Sequence, residues 1–326
     1  MKLSKYLLFI LVLAIIIASI VFIFRYYFIP SPYVVTPSQK TLIVKPMWGL
    51  GNRLRTMSGA FTAAKRLNVR CLIFWEKNHH FPQDITELYS NIPIITTIPS
   101  DMKIEASGKG KCEWESTLET LENKLPCMIS ACSFAINDTD EYRHEFYQWV
   151  QLAPMVSWWI GEYSDLLHNT TKKTLGLHLR QGDIADAKDN WFFGQWSGRP
   201  GFVHSDSDLA CCSDKNSNSP GCPSNIDTID KRLMDIKNEN IDSKTNIWVA
   251  TDRKNCIEVF EEKLKPASVI HLGSLYLNNR RNAKGRDMRK ALVDMYMLAK
   301  CDHFYGSPIS SFTDEVKVIN RAFHLS

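Results

Sequence analysis

The feature that most constrains the fold is a regular alternation of short apolar segments with amphipathic segments in the second half of the chain. In chain order these segments predict a strand at 175–179, a strand at 246–251, a helix at 255–264, a strand at 268–272, a helix at 286–300, a strand at 303–305 and a helix at 313–321. Strands that alternate with helices form a mostly parallel sheet with helices on both faces. The sequence therefore predicts an α/β domain over residues 170–326.

A second α/β unit is predicted earlier in the chain, over residues 41–165. It begins with a strand at 41–46, a glycine-rich turn at 48–53, a helix at 54–67 and a strand at 69–75. The turn lies at a helix N-terminus, where free backbone N–H groups and the helix dipole favour an anion. Beyond residue 76 no strand is predicted, but residues 149–160 have the pattern of an aromatic-rich helix. Two such units with a cleft between them are expected.

The end of the first strand of the second unit carries polar side chains. Leucines alternate with small or polar residues up to residue 179, and Arg180 and Asp183 follow in a glycine-containing turn. The planar fork of an arginine suits a phosphate or diphosphate, and ligands of open α/β sheets bind at the carboxyl ends of strands. An Arg180–Asp183 ion pair that closes a tight turn is the alternative.

The N-terminal residues predict a membrane anchor. Residues 6–24 carry no charge and are mostly Leu, Ile, Val and Phe, and about 20 such residues span a bilayer. Lys2 and Lys5 precede this segment, which places residues 1–5 in the cytoplasm as a tail. Residues 26–40 contain three prolines and predict an extended stem, so the remainder is expected to be lumenal. A cleaved signal peptide is the alternative.

Two further features bear on the compartment and on partners. The sequons at Asn137 and Asn169 fit a lumenal domain. The formal charge is only +4, without long basic runs, which argues against a nucleic-acid partner.

The chain has nine cysteines. Three lie in apolar or helical patterns and are expected to be buried thiols, namely Cys71, Cys256 and Cys301. The others lie in loop-like sequence and are disulfide candidates: Cys112, Cys127, Cys132, Cys211, Cys212 and Cys222.

Four motifs, in this order, carry a family resemblance. They are Gly49-Leu-Gly51-Asn52-Arg53, His178-Leu-Arg180-Gln-Gly-Asp183, Ala250-Thr-Asp252, and Asp294 followed by Asp302-His-Phe-Tyr-Gly-Ser307-Pro-Ile-Ser310-Ser311-Phe. The set resembles the fucosyltransferase superfamily, which contains α1,6-, α1,2-, nodulation and protein O-fucosyltransferases. The resemblance implies a GT-B fold, in which two Rossmann-like domains face a cleft. It also implies GDP-fucose as donor, inversion at the anomeric carbon, and no metal or other cofactor.

The resemblance assigns a role to each motif residue. Arg180 is similar to the arginine that binds the β-phosphate of GDP, and the donor-binding set is Gly49, Gly51, Asn52, Arg53, His178, Asp252, Asp294, Ser310 and Ser311. Within that set the acids are expected at the guanine or ribose and the serines at the phosphates. Three alternatives remain: Asp252 as a helix N-cap, Ser310 or Ser311 as the cap of the last helix, and Arg53 and Arg55 in a solvated first turn.

The catalytic base and any metal site are less defined. Asp183 and Asp186 are the candidates for the base that deprotonates the acceptor hydroxyl. Some α1,6-fucosyltransferases carry a second arginine where this chain has Gln181, which weakens an assignment to the α1,6 enzymes. Asp-x-Asp elements occur at 138–140 and 206–208 but follow no apolar strand, so no metal site is predicted. Aromatic residues in the loop at 190–225 could stack on a sugar.

The predicted function is a fucosyltransferase in the Golgi, or in the endoplasmic reticulum, anchored as a type II membrane protein. Its partners would be the membrane, a nucleotide sugar and a glycan or glycoprotein acceptor. Two alternatives stay open: a GT-B enzyme that uses another nucleotide sugar, and a catalytically silent glycan-binding or scaffold protein on the same fold.

Overall fold

Two parallel β-sheets, each built around one central strand, organise the chain. The computed structural model describes residues 40–78, 81–106, 113–137, 139–168, 173–179, 229–251, 254–272, 287–307 and 310–325. Every strand pairing between its named strands is parallel. The predicted α/β class with parallel sheets is confirmed.

The first half contains seven strands and four α-helices among the described residues. The strands are β1 (Thr41–Pro46), β2 (Arg70–Phe74), β3 (Ile94–Ile95), β4 (Lys103–Ala106), β5 (Glu113–Ser116), β6 (Cys127–Ala131) and β7 (Ser133–Ile136). The helices are α1 (Leu50–Leu67), α2 (Leu118–Lys124), α3 (His144–Trp149) and α4 (Pro154–Leu167), with 3-10 turns at Ile85–Glu87 and Asp140–Tyr142. The five-stranded sheet has the order β3-β2-β1-β6-β4, and β5 pairs with β7.

Among the described residues the second half has four strands, in the order β10-β9-β8-β11. They are β8 (Lys173–Leu179), β9 (Thr245–Thr251), β10 (Ser268–Ile270) and β11 (His303–Tyr305). The described helices here are α5 (Ile229–Lys237), α6 (Lys254–Lys263), α7 (Met288–Ala299) and α8 (Ser311–His324). In each sheet the connections run to opposite sides of a central strand, β1 or β8, so each sheet has a topological switch point at the carboxyl end of that strand.

The leucines of β8 show why this strand forms. Leu175, Leu177 and Leu179 are fully buried and pack with apolar residues of α5 and α6 on one face of the sheet. On the other face, a Cβ at Gly176 would lie 3.2 Å from the Leu298 side chain of α7 and 3.3 Å from the sulfur of Cys301. Both faces of the sheet are therefore covered, as is usual for parallel sheets.

The helix predicted at residues 149–160 is two helices. Trp149 ends α3 and Pro154 begins α4, while Val150 and Ala153 have extended backbones with ψ of 140° and 146°. Proline disfavours the helical conformation at the preceding residue and is well placed in the first turn of a new helix. The aromatic pattern therefore continues across a break that the proline imposes.

The cysteine predictions are confirmed in part. Cys71 and Cys301 are free thiols, as predicted, and Cys132 is disulfide-bonded. The prediction of Cys127 as a disulfide candidate is wrong, because it is a free thiol in β6, fully buried between β1 and β4. The side chains of the remaining cysteines lie outside the described residues.

No helix within the part of the chain that the structure describes, which begins at Lys40, is long and apolar enough to cross a bilayer. The anchor predicted at residues 6–24 and the stem predicted at 26–40, except for Lys40 at its end, lie outside that part.

Candidate active site

The carboxyl end of β1 meets the beginning of α8 at Gly51. A Cβ atom at Gly51 would lie 2.6 Å from the backbone nitrogen of Phe312 and 2.8 Å from Oγ of Ser311. Only a glycine permits this approach, because real Cβ atoms do not come so close to backbone. The first turn of α1 therefore lies directly against the first turn of α8, although the two helices follow strands of different sheets.

The carboxyl end of β8 reaches the same place through His178. Its ring stacks on Phe312, with ring centroids 4.4 Å apart, and its Nδ1 lies 2.9 Å from Oγ1 of Thr313. Ser307 donates a hydrogen bond to the His178 carbonyl at 3.2 Å. The switch points of both sheets thus converge on the N-terminus of α8.

Ser310 occupies the N-cap position of α8 but does not cap it. Its side chain makes no capping hydrogen bond, and its backbone is extended. The residue is 2% exposed, and its Oγ has no hydrogen-bond partner among the described residues. A buried hydroxyl without a partner is costly. Together with the free N–H groups of a helix N-terminus, it forms a donor set suited to an anion.

The charges around this turn leave room for an anion. Asp314, in the first turn of α8, would repel one, but its carboxylate pairs with Arg55 of α1 at 2.5 Å. The ion pair offsets the negative charge of Asp314. Ser311 is the first residue of α8 and is half-buried.

Arg53 closes the end of the first sheet. Its Nε donates to the Trp48 carbonyl at 2.8 Å and its Nη2 to the Glu76 carbonyl at 3.0 Å. The guanidinium lies 4.4 Å from the ring centroid of Trp75 and 4.9 Å from that of Phe81. Burial lowers the pKa of Arg53 to about 10, and the Glu76 carboxylate opposes this shift. The solvated first turn considered for Arg53 is wrong, and its donor-binding role stays a prediction.

The glycine-rich turn itself is open at Gly49. Gly49 is the N-cap of α1 and makes no side-chain cap, and a Cβ there would meet nothing within 4 Å. Trp48, just before it, has a left-handed backbone with φ of 70°. Asn52 is half-buried in the first turn of α1. Gly51 thus lies against Ser311, with Gly49 and Asn52 next to it in the turn, and the donor-binding role of the three stays a prediction.

Asp294 lies on α7 and is buried in the core. It is 2% exposed, and its Oδ1 accepts a hydrogen bond from Nε1 of Trp248 at 3.1 Å. The Trp248 indole packs edge-on against Tyr163 of α4. The buried carboxylate therefore has a partner on the neighbouring strand β9, and its guanine-binding role stays a prediction.

Several predicted site residues lie outside the described residues. They are Arg180, Asp183, Asp186 and Asp252, together with the second Asp-x-Asp element and the aromatic loop at 190–225. Asp140, of the first Asp-x-Asp element, forms an ion pair with Arg143 at 3.2 Å. In the described ranges no group of three His, Cys, Asp or Glu side chains could hold a metal ion.

Sequence reasoning missed a buried charged cluster beside the site. Glu315 of α8 is fully buried and pairs with Arg143, while the Tyr147 hydroxyl donates to its other carboxylate oxygen. One signal for Glu315 was available, since it is adjacent to Val316 on the apolar face of α8. No sequence signal joins it to Tyr147, which is 168 residues away.

Comparison by sequence gives no match, either with models of known protein families or with curated proteins. Comparison by structure does. NodZ α-1,6-fucosyltransferase co-crystallized with GDP has a TM-score of 0.51 at 14% identity, over 86% of this chain and 92% of that chain. POFUT1 in complex with GDP-fucose has a TM-score of 0.52 at 12% identity, over 88% and 95%. NodZ from Bradyrhizobium has a TM-score of 0.50 at 13% identity, over 86% and 93%.

This chain has the fold of these fucosyltransferases. The resemblance to the fucosyltransferase superfamily, which four short motifs carried in the sequence, is therefore confirmed at the level of the fold. At such low identity the likeness extends to the fold alone.

Proposed function

We propose that this chain transfers fucose from GDP-fucose to a glycan or glycoprotein acceptor, with inversion and without a metal. The observation that carries the proposal is the convergence of both switch points on the N-terminus of α8, where the Ser310 hydroxyl is buried without a partner in the described part of the chain. The solved structures of this fold that were crystallized with GDP or GDP-fucose support the choice of donor.

The chemistry of the donor fits such a site. Breaking the bond between the sugar and the diphosphate leaves negative charge on the departing GDP. Fixed donors that point at this charge stabilise it in the transition state. In this proposal Ser310, Ser311 and the N–H groups of α8 bind the diphosphate, and Arg180 supplies the positive charge. Arg180 directly follows β8, which ends at Leu179.

The remaining roles follow from the family resemblance. Asp252 and Asp294 bind the guanine or the ribose, because a carboxylate can accept two N–H bonds from the guanine edge. Asp183 or Asp186 acts as the base toward the acceptor hydroxyl. The enzyme is anchored by residues 6–24 as a type II protein of the Golgi or endoplasmic reticulum membrane, with its α/β halves in the lumen.

The direct test is nucleotide binding to the full chain in mild detergent, measured by calorimetry with GDP, UDP and ADP, each with and without EDTA. We expect binding of GDP alone, unchanged by EDTA, followed by turnover of GDP-fucose with a panel of glycan acceptors. Binding of UDP in place of GDP would point to another nucleotide sugar. GDP binding that requires Mn²⁺ would refute the metal-free mechanism, and no nucleotide binding at all would favour a silent scaffold.

A further inference from the structure

The first two turns of α8 are held by a buried ion pair from the other half of the molecule. Glu315 is fully buried, and its two carboxylate oxygens are engaged separately by the Arg143 guanidinium and by the Tyr147 hydroxyl. Arg143 also donates to Oγ of Ser58 in α1 at 3.0 Å and pairs with Asp140 at 3.2 Å. The carboxylate is thus fixed in direction as well as in position.

Burying these charged side chains in the core costs free energy. Removing two charges from water carries a penalty that their attraction barely offsets, and well-packed apolar residues often stabilise a core as well or better. Here the pair joins two segments distant in the chain, since Arg143 directly precedes α3 and Glu315 belongs to α8. Burial raises the pKa of Tyr147, so its hydroxyl stays a donor to Glu315.

The ion pair of Glu315 with Arg143 fixes the orientation of α8, the helix whose N-terminus is the proposed diphosphate site. Glu315 lies five residues after Ser310, about 7 Å along the helix axis. Because a helix turn is rigid, holding Glu315 against Arg143 sets where the Ser310 hydroxyl and the first N–H groups of α8 lie relative to Gly51. A small displacement there changes every contact to a bound diphosphate.

We propose that Glu315, through Arg143 and Tyr147, is a positioning residue for diphosphate binding. This inference rests on the proposed function, since it assumes that the N-terminus of α8 binds the diphosphate of the donor. It assigns to the first half of the chain a part in nucleotide affinity through Arg143 and Tyr147, in addition to the donor-binding role predicted for its glycine-rich turn.

The test separates positioning from simple stabilisation by comparing a single with a double variant. Glu315→Gln leaves Arg143 without its main partner, and we expect a lower melting temperature together with a rise of at least about tenfold in the Kd for GDP, since misplacing a binding group by about 1 Å can cost about 100-fold in function. Arg143→Met/Glu315→Gln removes both charges, so the melting temperature should recover. The Kd for GDP should stay raised, because the alignment is still lost.

Two further variants complete the design. Lys65→Met/Glu145→Gln removes an exposed ion pair between α1 and α3, 2.7 Å long, and should leave the Kd for GDP within about twofold. Tyr147→Phe deletes one hydroxyl and keeps the packing, so it should fold even if the charge variants do not. We expect it to raise the Kd for GDP by about threefold, less than Glu315→Gln does, because it releases only one of the two contacts that hold the Glu315 carboxylate.

The inference is wrong if the affinity for GDP recovers together with stability in the double variant, or if Tyr147→Phe binds GDP as wild type does. Hydrogen exchange gives a readout without ligand: the amides at the start of α8 should exchange faster in Glu315→Gln than in the Lys65/Glu145 control. If the wild-type chain binds no GDP but this exchange difference is present, the proposed function fails while the positioning contact stands. If the amides exchange equally fast in Glu315→Gln and in the control while the wild-type chain binds GDP normally, the positioning contact fails and the proposed function stands.

Discussion

The central strands of the two halves end in different surroundings. At the end of β1, Arg53 satisfies the carbonyls of Trp48 and Glu76, and the Lys45 ammonium pairs with the Glu76 carboxylate at 2.9 Å. At the end of β8, His178 contacts the first turn of α8, the helix that begins with the buried Ser310 hydroxyl, which has no partner in the described ranges. At the first end the Arg53 guanidinium is held by two carbonyls and two rings, and its Nη1 has no partner in the described ranges. At the second end the hydroxyl without a partner stands beside the N–H groups of a helix N-terminus. The difference indicates that the first half supplies a rigid wall, formed by Arg53 and the Trp75 and Phe81 rings around it. The second half supplies the anion receptor, formed by Ser310 and the first turn of α8.

The largest effect is expected at the receptor. Arg180→Ala should lower kcat/KM with GDP-fucose by about 100-fold or more, because removing one donor to developing charge costs about 2.7–4 kcal/mol. Arg180→Lys keeps the charge but not the planar fork and should retain part of the activity. Steady-state kinetics of both variants test this. Turnover of Arg180→Ala at the wild-type rate would contradict the division between wall and receptor.

The contact between wall and receptor should be next. Gly51→Ala places a Cβ 2.6 Å from the backbone of Phe312, and such overpacking costs about 1–3 kcal/mol. Gly49→Ser is the matched control, because a Cβ there meets nothing within 4 Å and serine is a better N-cap than glycine. Urea unfolding of both variants measures the free energies. Equal stability of the two variants would show that the halves are not in close contact at Gly51.

A smaller loss is expected within the wall. Arg53→Lys can reach only one of the two carbonyls that Arg53 now satisfies. The free energy of unfolding should fall by about 1–3 kcal/mol, the cost of a buried acceptor left without its donor. The Kd for GDP should change little if Arg53 completes the wall. A large loss of GDP affinity at unchanged stability would support the donor-binding role predicted for Arg53.

The smallest effects are expected at Ser310, where loss of the hydroxyl should not destabilise the fold but should weaken GDP binding. Ser310→Ala removes a buried hydroxyl that has no partner in the described part of the chain, so the free energy of unfolding should stay constant or rise by up to about 1 kcal/mol. The Kd for GDP should rise about fivefold. Ser307→Ala is the control, because Ser307 donates to the His178 carbonyl and its loss should lower stability. If Ser310→Ala binds GDP normally, the serine is not part of the receptor.

The second half was more predictable from the sequence than the first, for a physical reason. Strand β8 is buried on both faces and follows the alternation of Leu175, Leu177 and Leu179, so its pattern is clear. Strands β3, β4, β5 and β7 have only two to four residues each. Such short segments carry too little periodicity to be recognised between prolines and glycines.

The candidate site, too, could be predicted from the sequence only in part. Gly51 and Ser310 were recognised because glycine and serine at helix starts have a known local chemistry. Arg53 was expected at the ligand because of the family resemblance, but its local sequence does not reveal that Trp75 and Phe81 enclose it. The pair of Arg143 and Glu315 depends on tertiary contact between distant segments, which no local pattern contains.

The contact of α8 with α3 also has a consequence for synthesis of the chain. Tyr147 and Glu315 are 168 residues apart, so at about 5–20 residues per second the ribosome needs roughly 10–30 s to add the helix that covers α3. During that interval the apolar surface of α1 and α3 lacks its cover and is available to chaperones or to other nascent chains. The speed of translation thus determines how long the first half is at risk of aggregation before it can close.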